Sequence, residues 1–248
     1  MTEIWPVYKG TSFNIWAPDT GIYYDSVDAA SITVHLQDKR LAQSRSRSSA
    51  FAEQSTELIE DPATLPCHHP RIAFRDVARA TDSRTLIAAL VPGGRVIVHQ
   101  APYLLRTEGS AADDAYVLGV LCSMPLDWQA RRTVELHMTF EQLNQLTIPD
   151  PGAGHPVRDR VVEIAGRLAA VDERYADWAS EVGVEVGSVR DEATKQDLIC
   201  ELDACVAHLY GLDESDLAVI YETFHEGADY SARHAAVLEH FRRWEQYR

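Results

Sequence analysis

The chain has 248 residues, 46% of them hydrophobic, which is enough to bury one large core or two smaller ones without help from a metal or a disulfide. Its formal charge of −15 argues against indiscriminate adhesion to polyanions, and no apolar run approaches the roughly 20 residues of a membrane span. The N-terminus "MTEIWPVYKG" lacks the order of a signal peptide, and Cys67, Cys122, Cys200 and Cys205 form no CxxC pair, so reduced thiols in a soluble cytoplasmic protein are expected.

Residues 1 to about 110 alternate short β-like runs with turn punctuation, beginning with "WPVYKGTSFNIWAPDTGIYYD". The basic "SRSRSS" segment, Ser44 to Ser49, is compatible with an exposed turn or with a helix through its flanks. Farther on, "RIAFRDVARATDSRTLIAALVP" carries Arg71, Arg75, Arg79 and Arg84 in an otherwise apolar stretch. A spacing of four places the first three on one face in a helix or a strand, and the Phe, Ile, Val and Thr content selects strand. "TLIAALVP" and "RVIVHQAPYLL", separated by "PGG", predict two strands joined by a turn. Arginines along one strand face repel each other unless something anionic lies against them.

From residue 111 the period becomes helical, through "AADDAYVLGVLCSM", "DWQARRTVEL" and "TFEQLNQL". The segment "IPDPGAGHP" interrupts it and reads as a hinge. Beyond it Val157, Val161, Ile164, Ala165, Leu168, Tyr175 and Trp178 predict one long amphipathic helix. A second helix through Leu198, Leu202, Val206 and Leu209 should stop at Gly211. Asp213 with Asp216 predicts a capped helix start, and Ser231 is the expected cap of a last helix running through Trp244. The fold class is therefore α+β: a β-rich domain over 1–148 ending in short helices, then a helical docking unit over 149–248.

Charge is unevenly placed. Residues 71–106 hold six Arg against two Asp, whereas residues from 151 onward hold 10 Lys/Arg against 20 Asp/Glu. A basic stripe on an acidic body fits local contact with a polyanion, and internal pairing of the same arginines fits equally well. Cys67, His68 and His69 are adjacent and lack a second Cys/His pair at structural-zinc spacing, so no metal is expected. His225 and Glu226 fail HExxH, "GAGH" lacks the rest of a dinucleotide fingerprint, and no phosphate loop or GxSxG elbow occurs. Trp5, Tyr8, Phe13, Trp16, Tyr23 and Tyr24 are mostly core candidates, with one or two available to stack on a base.

The stretch "YVLGVLCSMPLDWQARRTVELHMTFEQLNQLTIPDP" resembles the segment closing the target-recognition domain of large adenine-specific restriction-modification methylases that fuse methylase and specificity regions. "RIAFRDVARATDSRTLIAALVP" is similar to the β-rich part of that domain, and "RVVEIAGRLAAVDERYADWA" through "ELDACVAHLYGLDESDLAVIYETF" to its helical tail. The resemblance spans about residues 65 to 241 and extends, less closely, to type I specificity subunits. It implies choice of a DNA sequence for N6-adenine methylation in restriction-modification or phage defence. The family's catalytic Asn-Pro-Pro-Tyr or Asn-Pro-Pro-Phe motif is absent, so S-adenosylmethionine is expected on a methylase partner domain or subunit, with no cofactor on this chain. Double-stranded DNA and that methylase are the expected partners, and no membrane is expected. Arg71, Arg75, Arg79 and Arg84 are first-rank DNA candidates under this resemblance, followed by Lys9, Arg45, Arg47, Arg95 and Arg106. The competing expectation is a protein–protein interaction subunit of a defence complex that reads no bases.

Overall fold

The computed structural model describes residues 2–77, 82–134 and 136–247. Strand β1 (Ile4–Tyr8) buries Trp5 and Tyr8 and pairs antiparallel with β2 (Asp25–Asp28), Ile4 opposite Asp28 and Val7 opposite Asp25. Asp28 ends that strand and starts α1 (Ala29–Gln43), because its carboxylate accepts from the Ser31 N–H at 2.7 Å. The helix stops at Ser44, so the "SRSRSS" segment forms turns rather than helix. A short α2 (Thr56–Glu60), capped by Ser55, follows.

Strands β3 (Arg71–Phe74) and β4 (Ala88–Val91) form an antiparallel ribbon with Arg71 opposite Val91, and every residue in it is buried. The other edge of β3 is covered by the "APYLL" backbone, since Phe74 donates to Pro102 O at 2.9 Å and Leu104 donates to Ile72 O at 2.8 Å. The hairpin expected across "PGG" does not form. Instead β5 (Val96–Ile97) crosses to the other sheet and pairs parallel with β1, giving the order β2-β1-β5. The turn itself explains this. Gly94 has φ +69° and donates to Cys67 O at 2.8 Å, and a Cβ on Gly93 would stand 2.3 Å from His68 O. Only glycine fits there, and the wedge aims the chain at β1.

The helical part comprises α3 (Ala111–Cys122), α4 (Met124–Thr133), α5 (Phe140–Leu143), α6 (Pro156–Ala169), α7 (Ala176–Val182), α8 (Glu192–Leu209), α9 (Glu214–Thr223) and α10 (Ser231–Trp244). The long helix expected through Trp178 is broken after Ala169. The Asp172 carboxylate accepts from the Arg174 N–H at 3.0 Å and opens a new 3₁₀ turn that leads into α7. Gly211, at φ +70°, lies just beyond α8 as expected, and Asp213 with Asp216 forms the capping box of α9. Ser231 is the first residue of α10 rather than its cap, and Asp229 accepts its N–H at 2.9 Å.

Helix and sheet share one main core. Phe74, Leu86 and Leu90 pack with Leu118 and Leu121 of α3, Ile164 of α6 and Leu202 of α8. This core runs across the "IPDPGAGHP" segment, and α3 and α6 approach so closely that a Cβ on Gly119 would meet Val161 at 2.8 Å. On α8, Cys205 faces the main core while Cys200 faces a second one with Met124, Phe224 and Phe241, so these two thiols lie on different faces. The fold is thus mixed α and β in the general sense expected. Among the described residues no helix is long and apolar enough to cross a membrane.

Candidate nucleic-acid interface

Two of the four first-rank arginines turn inward. Arg71, 7% exposed, donates through Nη1 to Pro66 O (2.8 Å) and His69 O (3.3 Å) and through Nη2 to Arg95 O (2.7 Å), with its guanidinium 5.0 Å from the Tyr103 ring centroid. Burial lowers its pKa to about 10. Arg84 donates through Nε to Asp127 and through Nη2 to Cys122 O (2.7 Å) and Ser123 O (3.1 Å). The Asp127 carboxylate is fully buried and also accepts from Thr85 N (3.0 Å) and Leu86 N (2.8 Å). Both arginines therefore hold chain segments together. The physical reason is that β3, which begins with Arg71, is buried along its length, and that the chain entering β4, which carries Arg84, packs against the start of α4 at Asp127. Arg79 lies outside the described residues.

Arg75 is placed differently. It follows the last residue of β3, is half-buried, and donates through Nη2 to Phe13 O at 2.6 Å. Its stem lies against Gly10, the neighbour of Lys9: a Cβ there would stand 3.6 Å from Arg75 Cγ and 3.3 Å from Gln100 O. Backbone bonds fix the same place, with Asp76 N donating to Gln100 O (3.2 Å) and Met138 N donating to Asp76 O (2.7 Å). His137 Nδ1 lies 3.3 Å from Asp76 Oδ1. Backbone contacts at Gly10, Asp76, Gln100 and Met138 thus bring the segments carrying Lys9, Arg75, His99, Gln100 and His137 to one rim, where Lys9 and Arg75 are half-buried, the Arg75 Nε is enclosed, and His99, Gln100 and His137 are exposed. The sequence reading missed His99, Gln100 and His137. His99 and Gln100 carried one signal, a polar "HQ" pair interrupting an apolar run, and His137 carried none.

Of the remaining candidates, Arg45 and Arg47 sit on the exposed turn after α1. Arg95 is held by Tyr8, with Nε 3.3 Å from the phenol oxygen and Nη2 3.9 Å from Asp19. Arg106 pairs with Asp114 at 3.0 Å. Trp5, Tyr8, Phe13 and Trp16 are core, whereas Tyr23 and Tyr24 are 40% and 65% exposed. Tyr23 stacks on Tyr8 at 5.5 Å and donates to Asp19 at 2.8 Å. Asp19 also accepts from Gly21 N (3.0 Å) and Arg174 Nη1 (2.9 Å). Burial works to raise the Asp19 pKa, yet hydrogen bonds led by Tyr8, then Gly21, Tyr23 and Arg174, hold it down to about 2.

Cys67, His68 and His69 diverge: the thiol is buried, His68 meets Trp5 edge-on, and His69 Nε2 lies 2.8 Å from Ala63 O. Among the described residues no group of three or more His, Cys, Asp or Glu side chains is arranged to hold a metal. Chemically the rim offers cations for phosphates and an amide with two imidazoles for base edges. Compared with protein-family models, with curated proteins and with solved structures, the chain matches none.

Proposed function

We propose that this chain selects the DNA sequence for an N6-adenine methyltransferase of a restriction-modification or phage-defence system, with S-adenosylmethionine and methyl transfer residing on a methylase domain or subunit. The observation that supports this reading is that backbone hydrogen bonds bring the segments carrying Lys9, Arg75, His99, Gln100 and His137 together at one rim. Lys9 and Arg75 bind phosphates and set register, and Gln100 has the fork that matches adenine N6 and N7. Arg45 and Arg47 add backbone contacts from the turn after α1. The family resemblance of residues 65 to 241 supports the same reading, and the acidic helical remainder keeps non-specific contact low.

The test is binding of the chain to a duplex between 50 and 200 mM salt. Neutralising about four phosphates gives a logarithmic slope of about −3.6, so affinity should fall on the order of 150-fold. Arg75→Ala should flatten that slope by about 1. Binding that ignores salt would refute the reading. A second reading, a defence-complex subunit that contacts protein only, is favoured by the inward commitment of Arg71 and Arg84. It predicts a stable complex with the methylase whose DNA site preference is the same with and without this chain.

A further inference from the structure

A cavity of about 410 Å³ opens between the end of α1, the chain leading into β3, and α3; Arg40, Phe51, Gln54, Arg71, Ile72 and Val117 contribute to its wall, as do Glu108 and two carboxylates that have arginine partners, Asp113 with Arg158 and Asp114 with Arg106. A smaller neighbour of about 160 Å³ shares Arg40, Phe51 and Arg71. Arg40 is 2% exposed and Arg71 7%, so both guanidinium groups are buried at the inner wall. Arg40 donates to Thr64 Oγ1 (2.9 Å), Gln37 Oε1 (2.6 Å) and Asp61 O (2.7 Å). Like the partners of Arg71, all of these are neutral acceptors. Each guanidinium carries five N–H bonds, of which three are satisfied here, and both Nε atoms have no hydrogen-bond partner. Among the described residues no carboxylate pairs with either. Gln54 Oε1, on the same wall, is also unpartnered.

Arg40 and Arg71 are buried with no carboxylate in salt-bridge range, only Asp61 acting on Arg40 from farther off, and such burial is costly because neutral dipoles replace only part of the lost hydration. We infer that this cavity is an oxyanion site: Arg40 and Arg71 bind the phosphate or carboxylate group of a small molecule, and the Gln54 amide, turned to present its N–H₂, completes the cradle. The volume lies within the usual range for small-ligand pockets and exceeds the need of a bare ion, and Phe51, Ile72 and Val117 supply an apolar wall for the ligand's body. The inference is independent of DNA recognition, since neither guanidinium lies on the rim around Arg75.

The test uses the whole chain with inorganic phosphate in one arm and acetate in the other, ionic strength held constant with chloride, read by calorimetry and thermal unfolding. One-to-one saturable binding of either ion supports the site, and the tighter one names the ligand class. At a hundred times Kd the midpoint should rise by roughly 5–10 °C. Arg40→Gln should weaken binding at least about tenfold, by loss of one charged ligand. Should that variant not fold, Gln54→Glu places a carboxylate in the cradle and should raise the ligand-free midpoint while abolishing phosphate binding. Saturation by neither ion, or wild-type phosphate affinity in Gln54→Glu, overturns the inference.

Discussion

Arg84 is bonded to a carboxylate with no exposure at all, and that carboxylate also anchors the backbone N–H groups of Thr85 and Leu86. Removing the guanidinium would leave the Asp127 charge buried without its cation, so Arg84→Ala should cost about 3–5 kcal/mol in denaturant unfolding. A purely DNA-facing arginine would leave stability unchanged. Arg75 is the contrast: with one carbonyl partner and partial exposure, Arg75→Ala should stay within about 1 kcal/mol of wild type. The sequence made these two residues look alike. Arg75 shares a four-residue spacing with Arg71 and Arg79, which reports a common face, whereas burial depends on what covers that face; Arg84 lies outside the spacing and is covered by Asp127 and the carbonyls of Cys122 and Ser123. The buried state of Arg71 was illegible for the same reason.

At the scale of elements, helices were more legible than strand partners. The stop near Gly211 and the capping box at Asp213 and Asp216 depend on local chemistry and were readable directly. The break between α6 and α7 was not, because the apolar spacing continues through Tyr175 and Trp178 while the Asp172 turn re-aims the chain. The switch of β5 into the β1 sheet rests on Gly93 and Gly94 wedged between His68 and Trp5, a long-range contact that no window of sequence contains. Gly94→Ala tests that turn. A Cβ at φ +69° beside the Trp5 indole should destabilise the protein by about 1–3 kcal/mol, and an unchanged midpoint would show that the turn does not depend on it.

Across the whole molecule, Asp19 links the N-terminal loop to Arg174 in the helical part, 155 residues away. Its pKa falls from 3.8 to about 2 on folding, so its contribution is fully present above pH 4 and disappears as pH drops toward 2. Asp19→Asn should therefore lose about 2 kcal/mol at neutral pH, and its stability should converge with wild type near pH 2. A gap independent of pH would contradict that linkage. The polarity of the chain, a basic stretch on an acidic body, was legible from residue counts, but which cations reach solvent was not: the fold exposes Arg45, Arg47 and Arg106, leaves Lys9 and Arg75 half-buried and encloses Arg71. The proposed function places sequence reading on the rim around Arg75, and selection from a randomised duplex pool tests it most directly. Wild type should enrich one motif, Gln100→Ala should relax preference at a single position by about 1–3 kcal/mol, and Arg75→Ala, a phosphate contact, should weaken binding while leaving the motif intact. Identical enrichment by wild type and Gln100→Ala, or no enrichment by wild type, would contradict the assignment.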